Sequence, residues 1–199
     1  MKSIRTKKSY SLIIILLIYI FSLPVGYLGY NIININNFYI KWFMSDFFAT
    51  VFVWFTTIIL SNTSIYDPYW SVAPPVYFTI FFFNHFSFDL FSNDKTYEFA
   101  FSLLILIAQG CKLALLIITW IWGIRLTLNW MTDFTSLARQ DWRYSKFKDS
   151  CPFLIWHIIN FFGLQLVPTI IVFLAMLPGY EIMNFTSDSI FLNTLHEYF

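Results

Sequence analysis

Ser9-Tyr-Ser-Leu-Ile-Ile-Ile-Leu-Leu-Ile-Tyr-Ile-Phe-Ser-Leu-Pro-Val-Gly-Tyr-Leu-Gly-Tyr30 contains no Asp, Glu, Lys or Arg, and the absence continues to Ile40. A helix needs about 20 apolar residues to cross the hydrocarbon core of a bilayer. Similar runs recur downstream. Phe47 to Tyr66 has no charged residue, Pro68 to Phe88 is broken only by His85, and Ser150 to Tyr180 only by His157. Phe99 to Gly123 is apolar around a single Lys112. This spacing predicts helices at 10–30, 39–60, 70–91, 98–123 and 153–178. Barrel strands would alternate apolar and polar positions, which these runs do not. The fold class expected is all-α: a polytopic membrane helical bundle of about five transmembrane helices, one membrane domain over 1–199.

Composition agrees. Of the 199 residues 58% are hydrophobic and 12% charged, with a mean hydropathy of +0.65, whereas soluble domains carry about 25% charged residues. Aromatic residues at 23% exclude disorder, and a net charge of +1 gives no basic surface for nucleic acid. Cys111 and Cys151 are too few for a disulfide framework or a zinc site, and no three side chains have metal-ligand spacing. No Gly-rich phosphate loop or nucleophile elbow is present.

Lys2, Arg5, Lys7 and Lys8 precede the first run as they would in a signal peptide. That run is longer than an h-region, however, and no A-x-A-like site follows, so a retained helix is expected. Four of the 12 Lys and Arg precede the first helix, and Arg125, Arg139, Arg143, Lys146 and Lys148 lie between the fourth and fifth. The positive-inside rule then sets the N-terminus and the 61–69 and 124–152 loops in the cytoplasm. The tail after Pro178, with Glu181, Asp188 and Glu197, faces the other side. Asn62-Thr63-Ser64 and Asn184-Phe185-Thr186 are glycosylation triplets, which chance alone produces often.

Three places could carry chemistry. Asp67-Pro68 suits a helix start with an interfacial aromatic belt; alternatively Asp67 and Trp70 line the mouth of a cavity. Arg125, Arg139, Arg143 and Tyr144 read either as positive-inside anchors or as a cluster that grips a phosphate-bearing nucleotide, since guanidinium binds phosphate bidentately, with Asp141 available to pair with one of the arginines. Lys112, on one face with Gln109, is a buried functional charge or a snorkelling one. Lys41 and Asp46 point about 140° apart on a helix, which argues against a pair. His85 shares a face with Asp89, and His157 stands alone.

The runs Tyr66-Asp67-Pro68-Tyr69-Trp70-Ser71-Val72-Ala73-Pro74, Trp122-Gly123-Ile124-Arg125-Leu126-Thr127 and Asp141-Trp142-Arg143-Tyr144, with Gln165, Pro168 and Leu177-Pro178, resemble the steroid 5α-reductase-like membrane family, and more closely its DUF1295 branch, over about 60–178. The resemblance implies NADPH-dependent reduction of lipid or steroid carbon–carbon double bonds: a hydride goes to the β-carbon of a conjugated enone and an acid protonates its neighbour. It also implies a lipid cavity, a nucleotide entering from the cytoplasm and, in a eukaryote, the endoplasmic reticulum membrane. Family members continue into an Arg-His-Pro-x-Tyr-x-Gly type motif that does not occur before Phe199. NADPH binding at millimolar strength or weaker and no enone reduction by the chain alone are therefore expected. A non-catalytic membrane relative is the alternative. A methyltransferase of the isoprenylcysteine type is a third reading, whose diagnostic region also does not occur here.

Overall fold

The computed structural model describes residues 7–85 and 98–184. Every regular element among them is helical: α1 (Lys8–Ile32), α2 (Phe38–Leu60), a 3-10 turn (Thr63–Ile65), α3 (Tyr69–His85), α4 (Glu98–Asp133), the short α5 (Trp142–Ser150), α6 (Phe153–Ile158), a π-helical segment (Ile159–Leu166) and α7 (Val167–Asn184). Four helices are long and apolar enough to cross a membrane: Lys8–Ile32, Phe38–Leu60, Leu106–Asp133 and the unbroken Phe153–Asn184. This is an all-α integral membrane protein.

Two expected boundaries differ. Helix α4 runs past Gly123 to Asp133, because no proline or glycine follows to stop it and one interior glycine costs only about 1 kcal/mol. Helix α3 has 17 described residues, with Pro74 and Pro75 inside it, and is not among the four spans. The end expected for it at 91, Asp89, and the acidic tail's Asp188 and Glu197 lie outside the described residues.

The chain divides into two compact units. The first comprises Met1–Ala73 and Ile124–Leu174. Here α1 packs on α2 through small residues: Ser22, Gly26 and Gly29 are buried, and so are Ser45 and Ala49. A Cβ at Gly29 would meet the Met44 carbonyl oxygen and the Phe48 Cβ at 2.7 Å. In lipid, where apolar surface gives no drive to associate, close backbone approach is what helices gain from small residues. That packing makes α1 part of the bundle. Asn37 caps α2, its side chain accepting from Ile40 N at 3.1 Å.

The second unit comprises Pro74–Gly123 and Ala175–Phe199. Tyr180 packs edge-on against Phe78 and Phe81, with ring centroids 5.5 and 5.0 Å away. The Trp120 indole donates to Thr79 Oγ1 at 2.9 Å. Lys112 belongs to this unit.

Candidate functional site

Helix α2 ends on Ser61, which adopts the left-handed conformation (φ 52°, ψ 36°) and donates its N–H to Ile58 O at 3.0 Å. That turn drives the next side chain inward, and Asn62 is 1% exposed. Its amide nitrogen donates to Leu137 O at 3.0 Å and Arg139 O at 3.3 Å, while its oxygen accepts from Ser64 N at 2.9 Å. Thr63 N donates to Gln140 Oε1 at 3.2 Å, and Asp141 N to Ser64 Oγ at 3.0 Å. The α2–α3 and α4–α5 connections are thus sewn together. The start of α1 joins them: Ser11 Oγ accepts from Leu137 N at 3.0 Å. All three segments share one end of the first unit, as the charge bias required. Asn62 is buried in this seam, so its glycosylation triplet is structural.

Between the two connections lies a cavity of about 630 Å³, within the size range that holds cofactor-sized ligands. Trp70, Trp130 and Trp142 line it, together with Asp67, Asp133, Arg139, Asp141, Arg143 and Tyr144. Tyr144 donates to Asp67 Oδ1. Burial pushes the Asp67 carboxyl up to about 6, and the nearby Asp141 charge adds to that rise. Hydrogen bonds from Tyr144 and Trp130 and the Arg143 charge oppose it. Burial, then Asp67, push the Tyr144 phenol well above its ordinary value. Arg143 grips Asp141 with two contacts, Nε to Oδ1 at 3.1 Å and Nη2 to Oδ2 at 3.0 Å. Those contacts hold the Asp141 carboxyl below its ordinary value. The Asp141 side chain also accepts from Arg143 N at 2.8 Å, which caps α5.

Of the residues singled out from sequence, Asp67, Trp70, Arg139, Arg143 and Tyr144 line this one cavity. Asp67 meets Tyr144 there, and α3 starts on the Pro68 carbonyl, which accepts from Ser71 N and Val72 N. Arg125 is exposed on α4 and is not among the lining residues. Lys112 lies in the second unit at 1% exposure. Lys41 and Asp46 do have separate partners: Lys41 Nζ sits 5.4 Å from the Tyr30 ring centre, and Asp46 accepts from Tyr69 Oη at 2.8 Å.

That second Asp–Tyr pair belongs to a buried network the sequence did not reveal. Tyr66 Oη donates to Gln165 O at 2.8 Å and lies 2.6 Å from Thr169 Oγ1, which in turn lies 2.9 Å from Thr50 Oγ1. The Gln165 amide nitrogen donates to Asn160 Oδ1 at 3.1 Å and Thr57 Oγ1 at 3.3 Å. Asn160 and Gln165 are five apart and meet because the π-helical segment brings i and i+5 together. The Tyr66 and Tyr69 rings lie 5.3 Å apart, so the network reaches the chain position next to Asp67. The signals available in the sequence were Asp46, a carboxyl inside a span, and the presence of Tyr66, Tyr69 and Gln165 in the runs that carry the family resemblance.

Residues 97–193 match the family model described as Protein of unknown function (DUF1295). The match covers just under half of the chain and includes the Trp122–Thr127 and Asp141–Tyr144 runs and Gln165–Pro178. The Tyr66–Pro74 run precedes it. No curated protein and no solved structure matches the chain. The family description carries no activity, so chemistry has to be argued from the cavity.

Proposed function

We propose that the protein serves an NADPH-dependent reduction of a lipid or steroid carbon–carbon double bond, with the cavity between the α2–α3 and α4–α5 connections holding the nucleotide. One observation carries this reading. Arg139 lines an indole-walled cavity, and its guanidinium has no hydrogen-bond or ion-pair partner among the described residues. The residues present fit one aromatic ring and one phosphate. Arg143 is already neutralised by Asp141, and Asp67 and Asp133 bring negative charge to the same walls.

NADPH, when bound, supplies a hydride to the β-carbon of a conjugated enone. The chain supplies the rest. Arg139 fixes a phosphate, the indoles of Trp70 and Trp130 border the space for a ring, and Tyr144 holds the α5 wall against Asp67. Asp46 on α2 and Tyr69 at the start of α3, hydrogen-bonded to each other and buried, hold the proton destined for the neighbouring carbon. On this reading the cavity end faces the cytoplasm, which the distribution of Lys and Arg supports, and in a eukaryote the membrane is that of the endoplasmic reticulum.

A phosphate–guanidinium contact contributes about 1.5–3 kcal/mol and a stacked ring about 1–3 kcal/mol. Their sum corresponds to a dissociation constant near ~1 mM, about −4 kcal/mol. Calorimetric titration of NADPH into the protein in phospholipid nanodiscs tests this. Saturable heat weakened roughly 10-fold or more by Arg139→Ala and little changed by Lys148→Ala is expected; no saturable heat sinks the proposal. The three carboxylates on the cavity wall favour a second reading, a non-catalytic membrane protein, and that result would leave it standing.

A further inference from the structure

We propose that α5 is an interfacial helix whose outward face docks on anionic phospholipid headgroups of the leaflet in which the protein sits. Tyr144 turns inward to Asp67. At 100° per residue, Trp142 and Lys146 then fall about 160° from Tyr144, Asp149 about 140°, Ser150 about 120° and Arg143 about 100°, while Phe147 at about 60° and Lys148 at about 40° flank it. Trp142 is 72% and Phe147 52% exposed, and Lys146 and Lys148 are exposed as well. Indoles and phenyl rings among lysines suit the headgroup layer, where one end of a side chain is wet and the other apolar.

Depth supports the same occupant. Three residues beyond the end of α5, Phe153 opens the apolar span Phe153–Asn184 with its side chain exposed. Three residues reach at most about 10 Å, so α5 lies at the level where lipid phosphates are found. Charge is complementary to an anionic surface. Lys146 and Lys148 have no acidic partner within ion-pair distance among the described residues, since Asp141 is taken by Arg143. Lys8 lies at the same end, its Nζ 3.5 Å from Thr132 O. Asp149 and Asp133 are the exposed acids there, fewer than the cations. The surface is continuous with the cavity wall, because Arg143 and Tyr144 sit on the same short helix. This inference does not depend on what the cavity binds.

The test uses the full chain with Cys111→Ser, Cys151→Ser and Ser150→Cys, labelled at position 150 with an environment-sensitive fluorophore. Protein is placed in nanodiscs of phosphatidylcholine alone or with roughly 30 mol % phosphatidylglycerol, and quenching by neutral acrylamide is measured. Quenching is expected to fall several-fold in the anionic discs. Each lysine near an anionic surface shifts docking roughly 5-fold, so Lys146→Gln with Lys148→Gln should abolish the difference and the two Arg replacements should keep it. High salt should shrink it. Equal quenching in both discs, or a difference that survives the double Gln variant while its melting temperature matches the parent, would overturn the proposal.

Discussion

Replacing Asn62 by alanine removes the side chain that joins the two cavity-forming connections. Three hydrogen bonds of 2.9 to 3.3 Å are lost, to Leu137 O, Arg139 O and Ser64 N. Each contributes about 0.5–1.5 kcal/mol net, and a buried group left unpaired costs more than the average. Asn62 is 1% exposed, so water does not replace the lost partners without opening the seam. The expected loss is therefore about 3 kcal/mol, or a fall in melting temperature of roughly 6–12 °C for a chain of this size. Asn62→Asp should be no better: it keeps the acceptor for Ser64 N, loses both donors and buries a charge against two carbonyls. Thermal unfolding in one detergent, followed by tryptophan fluorescence, measures the change. A fall of less than about 2 °C in Asn62→Ala would refute the view that this residue fastens the cavity end.

Further outcomes follow from the same geometry. Asp67 titrates near 6 folded against an ordinary 3.8, so the folded state binds more protons in that window and stability falls as pH rises through it, by up to roughly 3 kcal/mol; Asp67→Asn should flatten that dependence in melting curves, and Tyr144→Phe should move it to higher pH. Gly29→Ala should destabilise by about 1–3 kcal/mol, because its Cβ meets backbone and Phe48 at 2.7 Å, whereas Gly110→Ala meets nothing within 4 Å and should be neutral or better; equal melting temperatures for the two would contradict the packing of α1 on α2. Ser136 is buried and would report topology poorly, so a cysteine at exposed Ala138 in a chain with Cys111 and Cys151 replaced should react with an impermeant thiol reagent only once the cytoplasmic face is opened.

Hydropathy made the spans legible because a bilayer leaves the backbone no choice but to satisfy itself within helices. The same pattern missed the end of α4, since residues 124–133 stay helical although their polarity resembles a loop. The sequence also brought Asp67, Trp70, Arg139, Arg143 and Tyr144 into view by placing both connections on one side, and these residues do line one cavity. It offered Asp141 as a partner for one of the arginines but did not single out Arg143, because pairing two residues apart depends on the local cap geometry of α5. Asn62 and Gln165 were invisible as organisers for a similar reason. Their importance comes from carbonyls and hydroxyls more than 70 residues away in the chain, as the Asn62–Leu137 and Gln165–Thr57 bonds show.

The proposal that this cavity is the nucleotide site is tested most directly by site-specific protection. Thr135 lines the cavity and is exposed, while Ala138 is exposed and lies outside the lining. With the native cysteines replaced, NADPH at about 2 mM, twice the expected dissociation constant, should slow alkylation of Thr135→Cys about 3-fold and leave Ala138→Cys unchanged. The protection should disappear in Arg139→Ala. Equal alkylation rates at Thr135→Cys with and without NADPH would contradict the assignment, even if calorimetry detected the nucleotide binding elsewhere.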